Sequence, residues 1–112
     1  MKFRVEKLKQ AEKEINKLTV RQQKQIEEDY NTITNRGIEY VKRRHLRGDI
    51  FEIKTNDVRS LFAYRNDCVI LIGLVYEKRT NKAPDYYIDL ASKRLKEAQS
   101  WLISMLKTQK VL

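Results

Sequence analysis

The sequence predicts an α+β fold: a helical hairpin near the N-terminus, a small antiparallel sheet built as a meander, and a C-terminal helix. Three observations carry this. Apolar residues recur at helical spacing before residue 37, the period changes to two from Ile50, and a long helical seam begins after Pro84. At 112 residues the whole chain, 1–112, forms one domain, since a second would be too small to bury its own core.

Phe3 and Val5 alternate with charged residues, the pattern of a short first strand. Leu8, Ala11, Ile15 and Leu18 then draw one apolar stripe along a short, highly charged helix. Thr19, followed three residues later by Gln22, reads as a capping box opening a second helix, because each side chain can satisfy a backbone N–H left free in the first turn. Its apolar positions are Ile26, Tyr30 and Ile33, and Gly37 is placed to stop it.

Ile50–Thr55 and Val58–Arg65 alternate, and Cys68–Tyr76 is almost wholly apolar, as a buried central strand should be. Asn56-Asp57 and Asn66-Asp67 are two-residue turns, since Asn and Asp tolerate positive φ. Pro84 and Asp85 open the last helix. Its Ile88, Ala91, Leu95, Ala98, Leu102 and Met105 form a continuous seam for the core, for a partner, or for both.

Charge and composition narrow the function. Lys and Arg number 24 against 15 Asp and Glu, a formal charge of +9 that favours polyanions, nucleic acid first. No membrane role is expected: the longest apolar run, Cys68 to Tyr76, is far short of the ~20 residues that span a bilayer, and the charged N-terminus lacks a signal peptide's apolar stretch. A lone Cys68 implies a reducing, intracellular home and reads as core packing. One His and one Cys cannot build a zinc site, and no carboxylates have calcium-loop spacing, so neither metal nor cofactor is expected.

The turns place charge in space. Closing a hairpin at Asn56-Asp57 sets Thr55 opposite Val58 and Lys54 opposite Arg59, with side chains ~5 Å apart on one face and Glu52 on the same side. Closing the next at Asn66-Asp67 pairs Arg65 with Cys68 and brings Arg59 beside Leu74. The loop Lys78-Arg79-Thr80-Asn81-Lys82 then leaves from the end that carries the pair. Lys54, Arg59, Lys78, Arg79 and Lys82 converge in a cluster suited to phosphates, and Tyr86 and Tyr87 follow as platforms for unpaired bases. Each feature also has a plainer reading: a solvated basic loop, a Glu52 that only neutralises the pair, tyrosines that pack the helix entry. The run Lys42-Arg43-Arg44-His45-Leu46-Arg47 reads as a loop flank touching phosphates. His45 is a further acid–base candidate, histidine being the side chain that titrates near neutrality.

The stretch from His45 to Leu95 resembles the RelE/ParE superfamily, most closely its HigB-like, phage-derived toxin branch. The likeness rests on Leu46-Arg47-Gly48 before Ile50-Phe51-Glu52-Ile53-Lys54, on Arg59 within Val58-Arg59-Ser60-Leu61, and on Gly73-Leu74-Val75. It is most specific in the loop Lys78-Arg79-Thr80-Asn81-Lys82-Ala83-Pro84, and ends on Ile88, Ala91, Lys93 and Arg94. Two departures stand out. Tyr76 and Glu77 are extra between the Gly-Leu-Val strand and the loop, and Lys54 stands where many relatives have Arg.

The resemblance implies a type II toxin–antitoxin toxin, a ribosome-dependent mRNA interferase neutralised by a cognate antitoxin protein. By position Lys54, Arg59 and Arg79 would lead its active site, with Lys78, Lys82 and Tyr86 or Tyr87 next; Arg44, Arg47 and His45 belong to the RNA-binding flank read from the charge run. Attack by the RNA 2′-hydroxyl on its own 3′-phosphate needs a base, cations for the phosphorane charge and an acid. Arg59 and Arg79 would supply cations; Glu52, Lys54 and His45 all remain open as base. The rival readings are a ParE-like gyrase inhibitor, a non-enzymatic nucleic-acid-binding protein, and a structural phage protein.

Overall fold

The N-terminal part of the chain folds onto a sheet that later residues complete. The computed structural model describes residues 3–66 and 69–111, with side chains as far as Ala98. Strand β1 (Arg4–Lys7) leads into helix α1 (Lys9–Asn16) and then helix α2 (Val20–Arg36). Leu8 and Leu18 flank α1 rather than lie within it, and still pack on the core that holds Ala11 and Ile15. The capping box forms as predicted: Gln22 N donates to Thr19 Oγ1 at 3.1 Å, and Thr19 N to Gln22 Oε1 at 3.0 Å. The buried Gln22 amide also donates from Nε2 to Asp57 Oδ2 (3.1 Å) and Glu77 Oε2 (2.9 Å), tying the start of α2 to the far end of the sheet. Gly37 ends α2 at φ 123°, a backbone conformation that side chains with a Cβ rarely adopt.

A 3-10 turn (Ile38–Tyr40) then leads to β2 (Arg43–Arg47), β3 (Ile50–Thr55), β4 (Val58–Asn66), β5 (Val69–Glu77) and α3 (Asp85–Val111). The sheet has five strands in the order β1-β5-β4-β3-β2, with β1 parallel to β5 and the rest antiparallel. The predicted three-strand meander is its centre, β3-β4-β5. The correction lies at the edges. The charged run expected to be a loop is β2, an edge strand, where charge is the common guard against unwanted pairing.

Each face of the sheet carries its own core. Ala11, Ile26, Tyr30 and Ile33 from α1 and α2 meet Ile53, Val58, Phe62 and Ile72 on one side. Ile88, Ala91 and Leu95 of α3 meet Ile50, Leu61, Leu71 and Leu74 on the other. Asp67 and Cys68 lie outside the described residues, as do the side chains of Leu102 and Met105, so the packing expected of Cys68 and the far part of the seam fall there too.

The second hairpin also corrects the sequence reading. Asn66 pairs with Val69 and the register shifts twice along β4–β5, so Arg59 sits opposite Tyr76 rather than Leu74. Tyr76 and Glu77 are the last residues of β5, opposite Arg59 and Val58.

Gly73 lies where the first shift occurs, and a Cβ there would come 2.8 Å from Leu95 Cγ. Gly73→Ala should therefore cost about 1–3 kcal/mol by pushing α3 off the sheet, read as a lower urea midpoint. Beside it, β1 has ended, and Glu14 of α1 takes over the open edge. Its Oε1 accepts from Val75 N at 3.1 Å and from Arg94 Nη1 at 3.0 Å, while Arg94 also donates to the Gly73 carbonyl at 3.1 Å.

Candidate active site

Strand alternation sends Phe51 and Ile53 of β3 toward α2, and Ile50, Glu52 and Lys54 toward α3. Lys54 pairs with Arg59 and Thr55 with Val58, as the Asn56-Asp57 turn predicts, and Asn56 takes the positive φ of 54°. Across the other border of β3, Arg44 faces Glu52.

Two like charges side by side must be offset by something. Arg59 is buried, its Nε 3.6 Å from Glu52 Oε1, and its Nη1 donates to the carbonyls of Asn56 (2.6 Å) and Val58 (3.1 Å). Glu52 is only 1% exposed, and Arg44 Nη2 stands 3.1 Å from its Oε2. A carboxylate sunk in a sheet survives by such pairing. Lys54 differs: half-buried, it has no carboxylate partner among the described residues.

Tyr76 completes the group. It pairs with Arg59, and its ring lies 4.5 Å from that of Tyr87. Burial, then the nearby Glu52 carboxylate, pushes its hydroxyl from 10.0 up to about 12, with Arg59 and Arg44 opposing. Tyr76 therefore stays a neutral O–H donor at physiological pH. The folded chain keeps a proton that the unfolded chain releases, so this share of stability is complete below pH 10 and is lost as pH climbs through about 12. Urea midpoints across that window should fall less steeply in Tyr76→Phe. A residual slope should remain from Tyr30, which burial also raises.

The basic loop starts beside the first turn, where Lys78 N donates to the Asp57 carbonyl at 2.6 Å. It then reaches β2: Lys82 and Ala83 line a groove with Arg44, Leu46, Arg47 and Ile88. Arg47 anchors the start of α3 through ion pairs to Asp89 and, at 3.9 Å, Asp85.

Residues 7–96 match the family described as "Phage derived protein Gp49-like (DUF891)". The chain belongs to this Gp49-like family. No curated protein matches the sequence. Among solved structures, the Gp49-like chain is similar to RelE in the archaeal RelE–RelB complex from Pyrococcus horikoshii OT3 (21% identity, TM-score 0.60, covering 73% of this chain and 100% of that one). It is also similar to the RelBE2 toxin–antitoxin complex from Mycobacterium tuberculosis (15%, 0.59, 70% and 100%). A third is the E. coli toxin RelE, solved in the free state as a mutant (21%, 0.58, 87% and 98%). At these identities the likeness is one of fold, and the fold is RelE-like.

Within the Gp49-like chain the five predicted cations divide. Lys54 and Arg59 meet as a pair; Lys82 joins Arg44 and Arg47 along the groove; Lys78 and the exposed Arg79 lie on the loop between these groups. The tyrosines divide as well. Tyr87 packs on Tyr76, while Tyr86 is 70% exposed.

His45 lies on the edge strand. On β2 it faces the α2 side, its ring 4.8 Å from Phe51 and its Nε2 donating to the Gly48 carbonyl at 2.6 Å. Strand pairing with Phe51 fixes His45 on β2, where it lines the groove with Arg44, Arg47 and Lys82.

Tyr76 is the residue that sequence reasoning missed. Its signal was period two counted outward from Leu74, hidden by the register shifts. Among the described residues no three His, Cys, Asp or Glu side chains gather as metal ligands, and no helix is long and apolar enough to cross a membrane.

Proposed function

We propose that this chain is the toxin of a type II toxin–antitoxin pair, a HigB-like endoribonuclease that cuts mRNA on the ribosome in the bacterial cytoplasm. The observation that carries the reading is Lys54: a cation without a carboxylate partner, paired with a buried Arg59 that in turn pairs with Tyr76. The RelE-like fold and the match to a phage-derived family support the reading, and two of the similar structures are complexes with an antitoxin or RelB partner.

In this reaction the RNA 2′-oxygen bonds to its own 3′-phosphorus and the bond to the 5′-oxygen breaks, leaving a 2′,3′-cyclic phosphate and a 5′-hydroxyl. The nucleophile belongs to the substrate, so the protein has to supply proton transfers and positive charge. Lys54 faces the phosphate as cation or proton acceptor. Arg79 reaches it from the loop, Lys82 with Arg44 and Arg47 holds a neighbouring phosphate along the groove, and the exposed Tyr86 stacks on a base. Glu52 acts beneath the surface: it holds Arg59 and Arg44 in place and is not the base.

The test is induction in a bacterial host with mapping of mRNA 5′ ends. New ends in translated messages, absent when Lys54→Ala or Arg79→Ala is induced at equal folded levels, are the expected result. Altered plasmid supercoiling without new ends would instead indicate a ParE-like gyrase inhibitor.

A further inference from the structure

Strand β2 is an open edge. Lys54 N donates to the Lys42 carbonyl at 2.8 Å, so Lys42 and, two residues on, Arg44 turn their backbone groups toward β3. Arg43 and His45 turn theirs outward, and among the described residues nothing hydrogen-bonds to them. The charged side chains along this edge, Lys42, Arg43, Arg44 and Arg47, are of one sign. Lys42, Arg43, Arg44, His45 and Arg47 are all exposed. Arg44 has Glu52 and Arg47 has Asp85 and Asp89, which leaves Lys42, Arg43 and His45 without a carboxylate. The opposite edge, β1, is different, because Arg4 and Glu6 pair with each other there.

We propose that the β2 edge is a docking strip for an extended acidic segment of a partner protein, which adds to the sheet beside Arg43 and His45 as a further strand. An incoming strand offers N–H donors to the two outward carbonyls and carbonyls to the two outward amides, while its carboxylates meet Arg43, His45 and Lys42. Single-stranded RNA meets only part of this. Its phosphates suit the cations and the amides, but the outward carbonyls would lie against acceptors. A second copy of this chain is disfavoured, since two such edges repel each other. The choice of an antitoxin as the partner rests on the toxin reading; the strip itself does not.

The experiment uses the full, 15N-labelled chain and a synthetic peptide of alternating glutamate and valine, read by amide hydrogen exchange. Exchange at Arg43 and His45 should slow by about tenfold with peptide, while Lys54, whose amide is already bonded to Lys42, should not change. N-methylation of the peptide backbone should abolish the protection. Arg43→Glu combined with His45→Glu should weaken it about tenfold with the urea midpoint preserved. The proposal is overturned if the two amides stay unprotected at the highest peptide concentration, if a lysine–valine peptide protects them equally, or if oligouridylate displaces the glutamate–valine peptide from them. Protection without mRNA cuts in the host would remove the nuclease and leave the strip. Cuts without protection would remove the strip and leave the nuclease.

Discussion

Replacing Glu52 with alanine should lower the stability of the fold by about 3–5 kcal/mol, the range found when one member of a buried ion pair is removed and the other remains. The loss comes mainly from Arg59. Its guanidinium is buried, though less deeply than the carboxylate, and would keep only the two carbonyls at Nη1. Arg44, nearly half exposed, can turn to water and should contribute little. A double variant separates these terms: Glu52→Leu with Arg59→Met replaces the pair with apolar groups and should recover most of the loss. Urea unfolding of the wild type, the single and the double gives the answer. A Glu52→Ala midpoint close to wild type would mean that Arg59 does not depend on this carboxylate.

Lys54→Ala is expected to behave in the opposite manner, leaving the fold within about 1 kcal/mol of wild type while cutting mRNA cleavage about 10²–10³-fold. No hydrogen bond or ion pair holds the Lys54 side chain among the described residues, so little of the structure depends on it. Quantified 5′ ends after induction, set beside urea midpoints, test both halves of the statement. Lys54→Arg divides the possible roles. A side chain that only supplies charge survives this exchange, whereas a proton acceptor does not, because guanidinium stays protonated.

Local signals in this chain were legible because their causes are local. The Thr19–Gln22 cap needs only a spacing of three residues, and the Asn56-Asp57 turn fixes Lys54 opposite Arg59 through a loop of two residues. The candidate pair was therefore readable in advance, and so was the meander that presents it. What escaped depended on contacts between distant segments. Strand β2 shows no apolar alternation, since apart from His45 and Leu46 it is all arginine, and it owes its conformation to pairing with β3. Tyr76 was misplaced by register shifts that no spacing rule announces. The second role of Gln22, joined to residues 35 and 55 positions away, has no sequence signature at all. His45 shows the same limit from the other direction: its chemistry was evident, but the side of the sheet it occupies was set by a strand not foreseen.

The Glu14–Arg94 clasp joins positions 80 apart, and it satisfies a Val75 amide that β1 is too short to reach. A nascent chain that has been synthesised only through β5 has no Arg94 to offer, and Glu14 alone must then face that bare rim. The last border of the sheet is thus sealed late in synthesis, when the closing helix arrives, so a prematurely truncated product would carry the pair Lys54–Arg59 on an unfinished scaffold.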